Sequence, residues 1–90
     1  MIARKFLISG EVQGVGYRFF AQRSSARHQV RGYIKNLTDG RVEVLVEGPA
    51  AAVDAFKQDL AAGPTLAKVT VLEELVLEPS RAYSAFRIER

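Results

Sequence analysis

Few side chains in this 90-residue chain are equipped for chemistry. It has one histidine, His28, one asparagine, Asn36, and no cysteine. Disulfides, thiolate catalysis and cysteine-ligated zinc are therefore excluded. One histidine and scattered carboxylates make no recognisable metal site, and no paired carboxylates stand ready for acid–base work. The informative segment is Gly10-Glu11-Val12-Gln13-Gly14-Val15-Gly16-Tyr17-Arg18, in which three glycines lead to an arginine. It lies between a β-type stretch and a helical one. Glycine backbone bends sharply and approaches ligands closely. A helix start leaves N–H groups without partners, so a loop feeding a helix can turn several of them onto an anion. Arg18 would add a full positive charge and a planar fork of donors suited to phosphate. Read by residue type alone, the same segment is equally a tight strand-to-helix turn with a surface arginine, and Asn36 a turn residue bonded to nearby backbone.

The elements that must position these residues are legible in the patterning. Arg4 to Val12 alternates, with Phe6 and Ile8 on one side and Lys5, Leu7 and Ser9 on the other, as in a strand. Tyr17 to His28 has no breaker, and Phe20, Ala21, Ser24 and His28 recur at helical spacing. Arg23 and Arg27 lie on a more polar face, while Tyr17, Phe19 and Phe20 are assigned to the core. Tyr33-Ile34-Lys35 is β-prone, and Asp39-Gly40 suits a hairpin into Arg41–Glu47, where Val42, Val44 and Val46 alternate with Glu43, Leu45 and Glu47. Gly48-Pro49 opens a second helix with a stripe of Ala52, Val53, Phe56 and Leu60 and outward Asp54, Lys57, Gln58 and Asp59. Gly63-Pro64 stops it. Ala67 to Leu77 reads as a strand, frayed at Glu73-Glu74, and Ala85 to Ile88 as a short last one. The order predicts one α+β domain over residues 1–90. It is a ferredoxin-like β-α-β-β-α-β sandwich, an antiparallel sheet with two helices on one face and a short extra C-terminal strand. Such a fold hosts many functions and specifies none.

Two segments carry a family resemblance. Gly10 to Arg18 is similar to the signature G-x-V-Q-G-V-x-aromatic-R of acylphosphatases. Gly32-Tyr33-Ile34-Lys35-Asn36-Leu37-Thr38-Asp39-Gly40-Arg41-Val42-Glu43-Val44, with Glu47-Gly48, resembles their second signature, G-aromatic-x-x-N-x-x-x-G-x-V-x₅-G. The separation of Arg18 and Asn36 matches, and the likeness runs nearly end to end. It implies hydrolysis of the carboxyl–phosphate anhydride of acyl phosphates, with no metal or organic cofactor. It also implies a phosphate-binding loop over Glu11, Val12, Gln13, Gly14, Val15 and Gly16, a phosphate-binding Arg18, and a water-positioning Asn36. Where many relatives end the first helix in Leu-Gly-Leu, this chain has His28-Gln29-Val30. Gln29 must then take a left-handed cap at some cost, or the helix must end differently.

The implied chemistry is consistent with the residues present. A carboxylate leaving group, whose conjugate acid has a pKa near ~4, departs unprotonated, so no general acid is needed. Charge clamping and in-line orientation remain, which loop N–H groups, Arg18 and Asn36 can supply. Gln13 is expected to brace the loop, and His28 to close a helix end without a catalytic role. The alternative is a catalytically weak phosphate- or RNA-binding module of the same fold. Its central strands would be poor for base stacking, since the one around Val42–Val46 is aliphatic and carries Glu43 and Glu47. The expected partners are a small acyl phosphate and inorganic phosphate or sulfate as a product-like ligand, without nucleic acid or membrane. A net charge of +3 fits an anionic substrate and equally a solvated surface. The N-terminus has no signal-peptide core and no run spans a bilayer, so a cytoplasmic, free-standing monomer is expected.

Overall fold

The alternating segments pair into one sheet. In the computed structural model, which describes all 90 residues, the strands are β1 (Ile2–Glu11), β2 (Arg31–Asn36), β3 (Val42–Gly48), β4 (Lys68–Leu77) and β5 (Phe86–Glu89), and the helices are α1 (Tyr17–His28) and α2 (Ala50–Ala62). The strand order is β4-β1-β3-β2-β5. β3 lies antiparallel between β1 and β2, and β4 is antiparallel to β1. This is the ferredoxin-like arrangement expected.

The added strand departs from an all-antiparallel sheet: β5 runs parallel to β2, with Gly32 opposite Phe86 and Ile34 opposite Ile88. The reason is topological. β4 and β5 occupy opposite edges, so the chain must cross the sheet between them and reverse. A strand running opposite to β4 then runs with β2, and the sheet is mixed. The crossing is fixed by Glu47 on the open face. Its buried carboxylate accepts from the Ser80 N–H at 2.7 Å, the Ser80 hydroxyl at 2.9 Å and the Arg81 N–H at 3.1 Å. Three donors compensate a carboxylate that burial alone would disfavour.

The core lies between sheet and helices. Phe6 and Ile8 of β1, Ile34 of β2 and Val42, Val44 and Val46 of β3 are fully buried against Tyr17 and Ala21 of α1 and Val53, Phe56 and Leu60 of α2. Phe56 meets Phe86 edge-on with ring centroids 5.5 Å apart, which seals the β5 edge. β4 is continuous through Glu73 and Glu74 rather than frayed. Glu74 is held by Lys57 of α2 and Arg4 of β1, and the Lys57 contact in particular keeps its carboxyl below the usual range. Gln29 adopts the left-handed cap at φ 57° and ψ 43°. The Val30 N–H then reaches the Ser25 carbonyl at 3.1 Å and the Gln29 N–H the Ala26 carbonyl at 3.3 Å, the paired bonds of a Schellman ending. No helix is long and apolar enough to cross a membrane.

Candidate active site

The sheet register brings the two signature segments to one end of the molecule. Val42 is opposite Ile8 on one side and Asn36 on the other. Residues directly opposite in antiparallel pairs share a face, so Asn36 lies on the helix-covered face, at the level of Ile8 and two strands away. β1 and β2 run in the same direction on either side of β3. The end of β2 therefore lies beside the end of β1, where the loop begins. α1 packs over β2 and β5, so the chain passes from β1 across to a helix that starts near Asn36.

Four side chains and one backbone feature fix the loop. Gln13 Nε2 donates to the carbonyls of Leu37, at 2.8 Å, and Arg41, at 2.9 Å, and so ties the loop to the β2–β3 hairpin immediately after Asn36. This is the bracing role expected of Gln13. Val12 is buried in the core, and Val15 packs against it. Tyr17, also buried, donates its hydroxyl to the Leu60 carbonyl at 2.6 Å and pins the start of α1 to the end of α2. Burial pushes the Tyr17 phenol well above its ordinary pKa, so it stays a neutral donor. Gly14 and Gly16 have φ of 73° and 78°, and a Cβ at either would meet nothing within 4 Å. They are needed for the left-handed backbone rather than for space, and they turn successive N–H groups to one side.

The backbone N–H groups of Gln13, Gly14, Val15 and Gly16 donate to no group of the protein, and the first helical bond is Phe20 N–H to the Gly16 carbonyl at 3.0 Å. The N–H groups of Tyr17, Arg18 and Phe19 are therefore also unpaired, as at any helix start. No acidic residue occupies this first turn. Arg18 forms none of the chain's ion pairs. Asn36 Oδ1 is the one buried side-chain polar atom without a hydrogen-bond partner, an arrangement native proteins keep for a reason. A run of free donors, a free guanidinium and an orphaned acceptor suit a tetrahedral oxyanion with a water beside it.

Glu11, the first residue assigned to the loop, is the last of β1, paired with Lys68. His28 sits at the far end of α1, where its Nε2 is 3.0 Å from Asp59 Oδ2. Asp59 faces inward rather than outward: Ser24 and Arg27 reach the same oxygen at 2.7 and 2.6 Å. Phe19 is likewise corrected, since it is 61 % exposed and not core. Counting from buried Tyr17 and Ala21 would have placed it on the outer face. No group of three or more His, Cys, Asp or Glu side chains is arranged to hold a metal ion.

Known proteins of similar sequence and structure carry the same fold. The family model described as Acylphosphatase matches residues 4–88. An acylphosphatase of Actinobacillus succinogenes is 44% identical over 90 residues, the whole of both chains. The crystal structure of acylphosphatase from Bacillus subtilis superposes with a TM-score of 0.96 at 33% identity, over 100% of each chain. The structure of T. kodakarensis HypF contains a similar unit, with a TM-score of 0.87 at 35% identity, covering 100% of this chain and 12% of that one. With a family match across nearly its whole length, the chain belongs to the acylphosphatase family.

Proposed function

We propose that this acylphosphatase cleaves the P–O bond of acyl phosphates, releasing a carboxylate and inorganic phosphate, by in-line attack of a water held at Asn36. The observation that carries the reading is the orphaned Asn36 Oδ1, buried beside a loop whose N–H groups have no protein partners. The N–H groups of Gln13 to Gly16, those of the first turn of α1 and the Arg18 guanidinium hold the three equatorial phosphoryl oxygens. They bind most tightly as charge grows there in the transition state. Asn36 Oδ1 accepts a hydrogen bond from the attacking water and aligns it opposite the leaving oxygen. The water's proton passes to the phosphoryl group itself. The carboxylate leaves without protonation, so His28, at the other end of α1, has no part in the reaction. The reaction needs no metal, and the enzyme works as a cytoplasmic monomer.

The open face of the sheet argues against the RNA-binding alternative. Its central strands present Lys5, Leu7, Leu45 and Glu43, and the aromatic on β2, Tyr33, has its hydroxyl committed to Glu43 at 2.7 Å.

The test is release of phosphate from a simple aromatic acyl phosphate in the presence of EDTA, with Arg18→Ala and Asn36→Ala beside the wild type. Metal-free turnover that collapses in both folded variants is expected. Turnover that survives Asn36→Ala would remove its water-positioning role. A folded wild type without turnover would leave a phosphate-binding relative of the family.

A further inference from the structure

The Gly63-Pro64 stop of α2 lies beside the start of α1. Pro64 stands four residues after Leu60 and has no N–H, so the Leu60 carbonyl lacks its helical partner. Gly63, at φ 70°, turns the chain away, and its own N–H goes to the Asp59 carbonyl at 2.9 Å. The Leu60 carbonyl is thus left for a donor from elsewhere, and the Tyr17 hydroxyl supplies it at 2.6 Å. The Tyr17 ring rests against the same stop: a Cβ on Gly63 would lie 3.5 Å from its Cε2.

Tyr17 stands directly before Arg18, where the loop becomes helix. The usual means of fixing a helix start are missing there. Gly16, which precedes the helix, makes no side-chain cap bond, and no acidic residue occupies the first turn. The N–H groups of Tyr17, Arg18 and Phe19 have no protein partners. Gln13 anchors one end of this run of donors to the β2–β3 hairpin. At the other end the buried Tyr17 hydroxyl is the side-chain bond that holds the turn to the rest of the protein. We infer that Tyr17 is a positioning residue: through the Leu60 carbonyl, the end of α2 holds the first turn of α1, and Arg18 with it, in the arrangement that accepts a phosphoryl group. The inference rests on the phosphoryl site proposed above and adds to it a hydroxyl that touches no substrate.

Without the hydroxyl, the turn leaves that arrangement until a ligand restores it. Apparent affinity then falls by the fraction of molecules in the competent state, and one hydrogen bond corresponds to about two- to tenfold in that fraction. Saturating substrate restores the arrangement, so kcat is preserved. The experiment sets Tyr17→Phe, which keeps the ring, beside Ser24→Ala. Ser24 also ties α1 to the end of α2, through Asp59 at 2.7 Å, about two turns further from the loop. Each variant therefore loses one hydroxyl bond between the same two helices. Inorganic phosphate is titrated by calorimetry, and KM and kcat are measured with benzoyl phosphate. In Tyr17→Phe the phosphate dissociation constant and KM rise together by about two- to tenfold, with kcat as in wild type. In Ser24→Ala all three stay at their wild-type values. Wild-type phosphate affinity in Tyr17→Phe, an equal rise in both variants, or a fall in kcat alone overturns the inference and leaves the hydroxyl a stabilising contact only. A wild type that binds phosphate without turnover removes the hydrolytic reading, and the phosphate titrations then decide this inference by themselves. A wild type that binds no phosphate overturns both.

Discussion

Asn36 is unusual in offering a buried oxygen that nothing in the protein satisfies. Its truncation separates a catalytic asparagine from a structural one. A structural asparagine loses hydrogen bonds when cut back, at a cost of about 1 kcal/mol. An acceptor without a partner loses none, so Asn36→Ala should unfold at the wild-type temperature or slightly above it. Its kcat should still fall by about 10²–10³, the usual cost of removing one positioned polar group at a reacting centre. Thermal unfolding and steady-state kinetics on the same preparation check both. A variant that loses stability and activity in parallel would make Asn36 part of the scaffold. Arg18→Ala should differ by also weakening inhibition by inorganic phosphate, because Arg18 contacts the phosphoryl oxygens directly in this scheme. As candidates, both residues stand out in the sequence through two long motifs at the family's separation. By type alone, Arg18 reads as a surface arginine and Asn36 as a turn or strand-end residue. Phe19 was misread because three aromatics in four positions look like core, whereas helical periodicity buries Tyr17 and turns Phe19 outward.

At the scale of elements, the strands and helices followed from period-2 and period-3.6 patterning, and α1 spans Tyr17–His28 as its unbroken run predicts. What patterning did not reveal lies between elements. Asp59 reads as outward in the period of α2, and only the packing of α1 against α2 brings Ser24, Arg27 and His28 to it. The parallel course of β5 depends on a crossing that no local signal encodes. The Gln13 tie is another such link, joining the β1–α1 loop to the β2–β3 hairpin. In Gln13→Glu a carboxylate of the same shape would face two carbonyl oxygens and push the loop from Asn36. We expect kcat to fall about tenfold or more with Arg18 intact, since small displacements at a reacting centre are costly. Wild-type kcat in that variant would show that the tie does not set the geometry. The Gln29 cap offers the opposite experiment. A side chain in the left-handed region carries a strain that glycine lacks, so Gln29→Gly should stabilise the protein by about 0.5–1 kcal/mol in urea unfolding, with kcat unchanged. Destabilisation would mean that the Gln29 side chain contributes more than its backbone strain costs.

For the molecule as a whole, the helix layer is held by carboxylates as well as by the apolar core. Asp59 Oδ2 accepts from Ser24 of α1, which is the largest influence drawing its pKa down to about 2, and from Arg27 and His28, while burial opposes them. Glu74 of β4 binds α2 through Lys57 and is lowered in the same direction. α2 is thus fastened on both sides by groups that must remain ionised. A carboxyl with a folded pKa below its unfolded value, about 3.9 for aspartate, stabilises the fold fully above that value. The contribution falls away as pH drops from about 4 through about 2, because protonation then costs the folded state more than the unfolded one. Ser24→Ala removes the main support of Asp59 at a buried position. At neutral pH it should cost about 1–2 kcal/mol, and less if solvent screens the partly exposed carboxylate. The difference from wild type should narrow steadily below pH 4 and approach the uncharged residue's own packing effect near pH 2. Urea unfolding from pH 7 to pH 2 measures this directly. A constant difference across that range would assign the whole effect to packing around Ser24 and none to Asp59. Because the Ser24–Asp59 contact lies towards the end of α1 away from the loop, kcat at neutral pH should be unchanged in the folded variant. This separates what holds the helices together from what holds the phosphoryl group.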